Sequence, residues 1–68
     1  MKEIDLHGVR HREVSDLITR SCIEEDVPFV VITGKSDQMK RIVAAVVKTF
    51  GLSARDAIDN PGRIVVDV

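Results

Sequence analysis

Apolar and polar residues alternate over Lys2–Leu6, with Ile4 and Leu6 set against Glu3 and Asp5, which is the two-residue period of a strand covered on one face. Gly8 ends that pattern. From about His11 to Glu25 the period changes. Val14, Leu17, Ile18 and Cys22 recur at helical spacing while Glu13, Asp16, Arg20 and Glu24 face outward. No good N-cap residue opens this helix. Asp26 and Pro28 bracket a turn into Phe29-Val30-Val31-Ile32-Thr33, a β-branched run that is apolar on both faces, as in an interior strand with parallel neighbours. Gly34 breaks the run. Ser36 then stands as an N-cap, with Asp37 in the first turn where the helix dipole favours negative charge. Met39, Ile42, Val43, Val46, Val47 and Phe50 form one stripe of a second helix over Asp37–Phe50, and Gly51 suits its C-terminal cap. The rest reads as a hairpin: a polar edge strand over Ser53–Asp59, a turn at Asn60-Pro61-Gly62, and a more apolar strand over Arg63–Val68.

The order is thus β-α-β-α-β-β. Strand–helix–strand crossovers are right-handed in nearly all cases, so both helices should cover the same face of one sheet. The expected fold is a two-layer α/β sandwich with a mixed four-stranded sheet, in which the apolar last strand lies inside, Ser53–Asp59 forms an edge, and the second face stays partly open. At 68 residues the chain holds one domain and one thin core. A composition of 44 % hydrophobic and 31 % charged residues is that of a globular protein rather than a disordered one. Cys22 is the single cysteine, so neither an internal disulfide nor a cysteine-based zinc site can form. No signal-like segment opens the chain and no apolar run approaches the roughly 20 residues of a membrane span, so a soluble, cytoplasmic protein without a membrane partner is expected.

A net charge of −1 argues against a strongly basic nucleic-acid binder, but the charge is unevenly spread. Arg10 and Arg12 give residues 7–12 a charge of +2. Lys35, Lys40 and Arg41 against Asp37 give residues 33–41 another +2, which leaves −5 for the remainder. Both basic windows follow a parallel strand, where the loops and helix N-termini of α/β sheets gather ligands. Each joins a glycine to cationic or titratable side chains, a combination suited to phosphate. Gly34-Lys35-Ser36 is not the end of a nucleotide-binding P-loop, because that motif needs a glycine where this chain has Phe29.

Ile4-Asp5-Leu6-His7-Gly8 with Glu13 behind it, Val31-Ile32-Thr33-Gly34-Lys35, and the terminal Gly62-Arg63-Ile64-Val65-Val66 together resemble the Smr (small MutS-related) domain family over essentially the whole chain. The family's Leu-Asp-Leu-His-Gly block falls on residues 4–8 with Ile for the first Leu. Its Thr-Gly-x-Gly block falls on Thr33–Ser36, where Ser36 replaces the second glycine and leads straight into the helix. The resemblance implies a compact β-α-β-α-β-β domain that binds DNA or RNA, branched or single-stranded forms included, and that in several members nicks it. It assigns activity to Asp5 and His7 and backbone contact to Thr33, Gly34, Lys35 and Ser36.

On the residues themselves, Asp5 and His7 lie two apart on a strand, so their side chains are expected on one face. A carboxylate beside an imidazole orients a general base, or holds a divalent ion (Mg²⁺ or Mn²⁺) if the site is catalytic; no other cofactor is evident. Gly8, Arg10, His11, Arg12 and Arg41 complete the candidate nucleic-acid contacts. Phe29 and Phe50 are the only aromatic residues and both are expected to be buried, which leaves backbone and shape as the features to read. Two readings stand beside a weakly nicking endonuclease. One is a non-catalytic backbone-binding module, similar in architecture to the C-terminal domain of bacterial translation initiation factor three. The other is a protein-interaction domain using the open sheet face. A monomer or weak dimer is expected.

Overall fold

The computed structural model describes residues 1–68. Its elements are β1 (Glu3–Asp5), α1 (His11–Glu24), β2 (Phe29–Ile32), α2 (Asp37–Thr49), β3 (Ser53–Ala57) and β4 (Asn60–Asp67). The four strands form one mixed sheet in the order β1-β2-β4-β3. β1 runs parallel to β2, while β4 is antiparallel to both β2 and β3. The expected α/β order is therefore present, with the apolar last strand inside the sheet and β3 at an edge.

Register decides what the helices cover. Ile4 lies beside Val31 and Val31 beside Ile64; Phe29 lies beside Val66. These side chains meet Val14 and Ile18 of α1 and Met39, Val43 and Val47 of α2 in a single core that Leu6 closes at one end. Adjacent residues point the other way. Glu3, Val30, Val65 and Arg55 form one row across the uncovered face, and Asp5, Ile32 and Arg63 form the next. Arg63 reaches diagonally over β2 to Glu3 at 3.2 Å.

Local chemistry explains where the helices stop and start. Ser36 accepts the Met39 N–H on its Oγ at 3.1 Å, the bond its place before α2 predicts. At the other end the Gly51 N–H donates to Lys48 and the Leu52 N–H to Val47, with Gly51 at φ 75, which is a Schellman cap. Arg10 occupies the N-cap of α1 with no side-chain bond to the helix, as its residue type implies. Ser21 is the one polar residue buried along α1, and it donates to the Leu17 carbonyl at 3.0 Å. Cys22 packs against the core, and this burial pushes its thiol pKa up from the ordinary value.

Two expectations fail. The hairpin turn is Ile58-Asp59, not Asn60-Pro61-Gly62, so β4 begins three residues early and β3 ends two early. Asn60 does bend the chain locally, its Oδ1 accepting the Gly62 N–H at 2.9 Å, but it does so inside a strand. The ladder shifts register at Asp56/Ala57, beside a two-residue turn whose residues both keep negative φ. The second failure is Phe50, which is 41 % exposed. The helix has already ended at Thr49, and Phe50 is its C-cap, with φ −96 and ψ 7, so the helical spacing no longer decides where it lies.

With so thin a core, small losses register. Ser36→Ala is expected to cost about 1 kcal/mol, seen as a lower urea midpoint at unchanged slope. An unchanged midpoint would show that the Oγ bond contributes nothing. Ile18→Ala should cost about 2–5 kcal/mol, enough to unfold much of the population of a domain this small.

Candidate nucleic-acid interface

Because β1 and β2 are adjacent and parallel, their carboxyl ends open side by side. The Leu6 N–H donates to Ile32 at 3.0 Å as the last rung between them. Beyond it the first loop turns at once. The Val9 N–H returns to the Leu6 carbonyl at 3.0 Å, and Gly8, third in that turn, has φ 78. No non-glycine residue has positive φ, so His7 keeps the negative value and the turn is type II. Glycine is there for its dihedral alone, since a Cβ at Gly8 would meet nothing within 4 Å.

Asp5 fastens this turn. Its Oδ1 accepts the backbone N–H of His7 at 2.8 Å, and the carboxylate makes no ion pair with the His7 imidazole. His7 is exposed. Nowhere do three His, Cys, Asp or Glu side chains gather to hold a metal ion, so Asp5 and His7 do not amount to a protein-only metal site. Arg10 and Arg12 stand exposed at the start of α1, with His11 half-buried between them.

The second loop is held from the other side of β2. Thr33, which is buried, donates its N–H to the Gly62 carbonyl at 3.0 Å, and Gly34 donates to the same oxygen at 3.0 Å. Thr33 Oγ1 donates to the Gly34 carbonyl at 2.7 Å. Gly34 has φ 65, and a Cβ built on Gly62 would come within 3.4 Å of the Gly34 Cα. Gly34 is needed for its dihedral, since a Cβ there would meet nothing within 4 Å, while Gly62 is the glycine that lies against its neighbours. Bonded to the Gly62 carbonyl, the Gly34 N–H faces inward. Lys35 and Ser36 follow with backbone N–H groups that donate to no other part of the chain, ahead of the positive end of α2.

The structure therefore puts Asp5, His7, Gly8, Arg10, His11 and Arg12 on one flank of a shared rim and Thr33, Gly34, Lys35 and Ser36 at its centre. Arg41 lies apart. It is one turn into α2, on the side that faces β3, where it lines a groove with Lys40 and Asp56. Arg55 of the edge strand lies away from both, on the uncovered face of the sheet beside Val65. Arg10, Arg12, Lys35, Arg41 and Arg55 are all free of ion pairs; the pairs present are Lys40–Asp56 and Arg63–Glu3, each at 3.2 Å. The exposed Phe50 belongs to the opposite end of the sheet, beyond the C-terminus of α2. No helix is long and apolar enough to cross a membrane. Comparisons with protein-family models, with curated proteins and with solved structures find no match to this chain.

The Asp5 bond can be separated from any chemistry Asp5 performs. Asparagine presents the same Oδ1 acceptor, so Asp5→Asn should keep stability within about 0.5 kcal/mol of the parent, whereas Asp5→Ala should lose about 1 kcal/mol. Equal losses in thermal unfolding would mean that the carboxylate's charge, not its acceptor, holds the turn.

Proposed function

We propose that this chain is a nucleic-acid-binding domain of the Smr type that grips the phosphate backbone at the rim formed by its first two loops. The observation that carries the reading is the set of unpaired cations Arg10, Arg12 and Lys35 beside the unused N–H groups of Lys35 and Ser36, all fixed to one end of the sheet. Such a rim meets phosphate with charge and with backbone donors at once. It offers no aromatic platform and no row of amide side chains, so it carries little sequence preference. Each phosphate neutralised releases counterions, and this release supplies most of the affinity.

Nicking is the second activity, favoured by the exposure of His7 at the lip of the same rim. The imidazole would act there as a general base on the attacking water, with the bound backbone held by Arg10 and Lys35. Asp5 keeps the His7 segment in place through the 2.8 Å bond to its N–H, which makes Asp5 a positioning residue on this geometry. Proton transfer by one unassisted imidazole is a modest accelerator, so turnover is weak.

Three rim contacts correspond to a slope of log K against log salt of about −2.7 on duplex DNA. Lys35→Ala should weaken binding equally on unrelated sequences and flatten the slope by about 0.9. Binding that ignores salt, or that depends on base sequence, would refute the rim reading. His7→Ala should leave affinity within a few-fold while nicking of a plasmid falls by about a hundredfold, measured with Mg²⁺, with Mn²⁺ and with chelator. A parent protein that binds but never nicks would make the domain a binding module alone.

A further inference from the structure

The face of the sheet that the helices leave open carries its charges in a fixed order. From β1 across to β3, one row runs Glu3, Val30, Val65, Arg55, which is acid, apolar, apolar, base. The adjoining row runs Asp5, Ile32, Arg63. The β1 flank of this face is therefore acidic and the β4–β3 flank basic, with valine and isoleucine between them. Ile32 and Val65 are half-buried and Val30 is 9 % exposed, although all three point away from the helices. Arg55 is exposed and has no carboxylate partner. Glu3 gives Oε2 to Arg63 at 3.2 Å and keeps Oε1 free of any cation.

We infer that a second copy of this chain docks on the uncovered sheet face, about a two-fold axis parallel to the strands, with Glu3 of each copy paired to Arg55 of the other. Charge selects the axis. A two-fold along the strands, midway between β2 and β4, exchanges β1 with β3 and β2 with β4. It sets Glu3 on Arg55 and Val30 on Val65, each twice, as a self-complementary contact requires. A two-fold across the strands would instead confront Glu3 with Glu3 and Arg55 with Arg55, and like charges face to face oppose association. Facing sheets pack about 10 Å apart, a gap that glutamate and arginine span at the margins and paired valines fill at the centre. In the second row Ile32 meets the apolar stem of Arg63 of the second copy. Four strands make a face only about 20 Å wide, so the contact is smaller than the roughly 1,200 Å² of a stable interface and the dimer is weak. Because the axis runs along the strands, the carboxyl ends of β1 and β2 in both copies open on one side, and the two rims share a surface. The docking stands without the nucleic-acid reading; only the use of that shared surface rests on it.

The test is complementation, read by sedimentation equilibrium from micromolar to millimolar protein. The parent should pass from monomer to dimer over that range and dissociate further as salt is raised. Arg55→Glu sets acid against acid at both contacts and Glu3→Lys sets base against base, so each variant should lose self-association by about tenfold or more. Mixed in equal amounts, the two variants restore opposite charges at both contacts, and the mixture should associate within a few-fold of the parent. Both positions are exposed, and thermal unfolding verifies that each variant folds. Arg20→Glu and Glu24→Lys make the same charge changes on the exposed side of α1 and should leave association unchanged, alone or mixed. Rescue by mixing the first pair and not the second cannot come from net charge or from a damaged fold. A dimer indifferent to both reversals, or variants that fail to complement, would overturn the inference. So would a parent that stays monomeric at millimolar concentration, even if a segment of some other protein occupies the face. Nucleic-acid binding is measured separately, by anisotropy with a DNA duplex. A dimer that binds no nucleic acid removes the rim reading and keeps this inference, whereas binding by a chain that never dimerises does the reverse.

Discussion

The carbonyl of Gly62 accepts two backbone donors, the N–H groups of Thr33 and Gly34, and this one oxygen joins the two halves of the chain. Upstream it stops β2 and turns the chain into α2 at the spot where Ser36 can cap it. Downstream it sets the register of β4 against β2, and hence which of Ile64, Val65 and Val66 face the helices. A Cβ added to Gly62 would lie 3.3 Å from Asn60 Oδ1 and 3.4 Å from the Gly34 Cα, so the two segments are already in contact at this point. In a core of ten buried residues, a one-residue slip of β4 would place Val65 inward and expose Ile64 and Val66. The candidate interface inherits this dependence, because Lys35 projects from the segment that Gly62 holds.

The sequence disclosed what is local and concealed what is not. The stripe Met39-Val43-Val47, the Ser36 cap and Gly51 are consecutive signals within one helix, and α2 formed as they indicate. β4 was legible as an interior strand from its valines and isoleucine. Its beginning was not, because Asn60-Pro61-Gly62 has turn chemistry and its role as a strand comes only from pairing with residues far away. Phe50 kept the period of the stripe after the helix carrying it had ended. The rim was legible too, since parallel strands place their following loops together whatever else the chain does. The contact of α2 with the edge strand was not. Lys40 is on α2 and Asp56 on β3, and nothing in either segment announces that the two will pair.

Charge in this molecule is divided by location. The two ion pairs bind elements to each other: Lys40–Asp56 ties α2 to the edge strand, and Arg63–Glu3 spans the uncovered face of the sheet over β2. Exposed pairs of this kind stabilise by at most about 1 kcal/mol each. The cations at the rim have no such partners, and their mutual repulsion is a cost the folded state carries in the absence of an anion. Lys2, Arg20 and Lys48 are unpaired as well, so what sets the rim apart is the closeness of its cations and not their lack of partners.

The geometry of the first loop also separates binding from chemistry. A carboxylate that orients a histidine usually accepts from the imidazole itself, which sets the tautomer and stabilises the charged ring. Asp5 accepts from the His7 backbone N–H, so it fixes where the residue is and leaves the ring to rotate. That is sufficient to keep a histidine beside a bound phosphate, but not to hold it in one protonation geometry. Ser36, in the place of a glycine, pulls in the same direction: its Oγ is engaged with Met39 and its backbone enters the helix directly. Both loops are thus built first as stable ends of secondary structure. Whatever catalysis they support is limited by the freedom of the His7 ring, whereas phosphate contact requires only that Arg10, Arg12 and Lys35 stay where the sheet puts them.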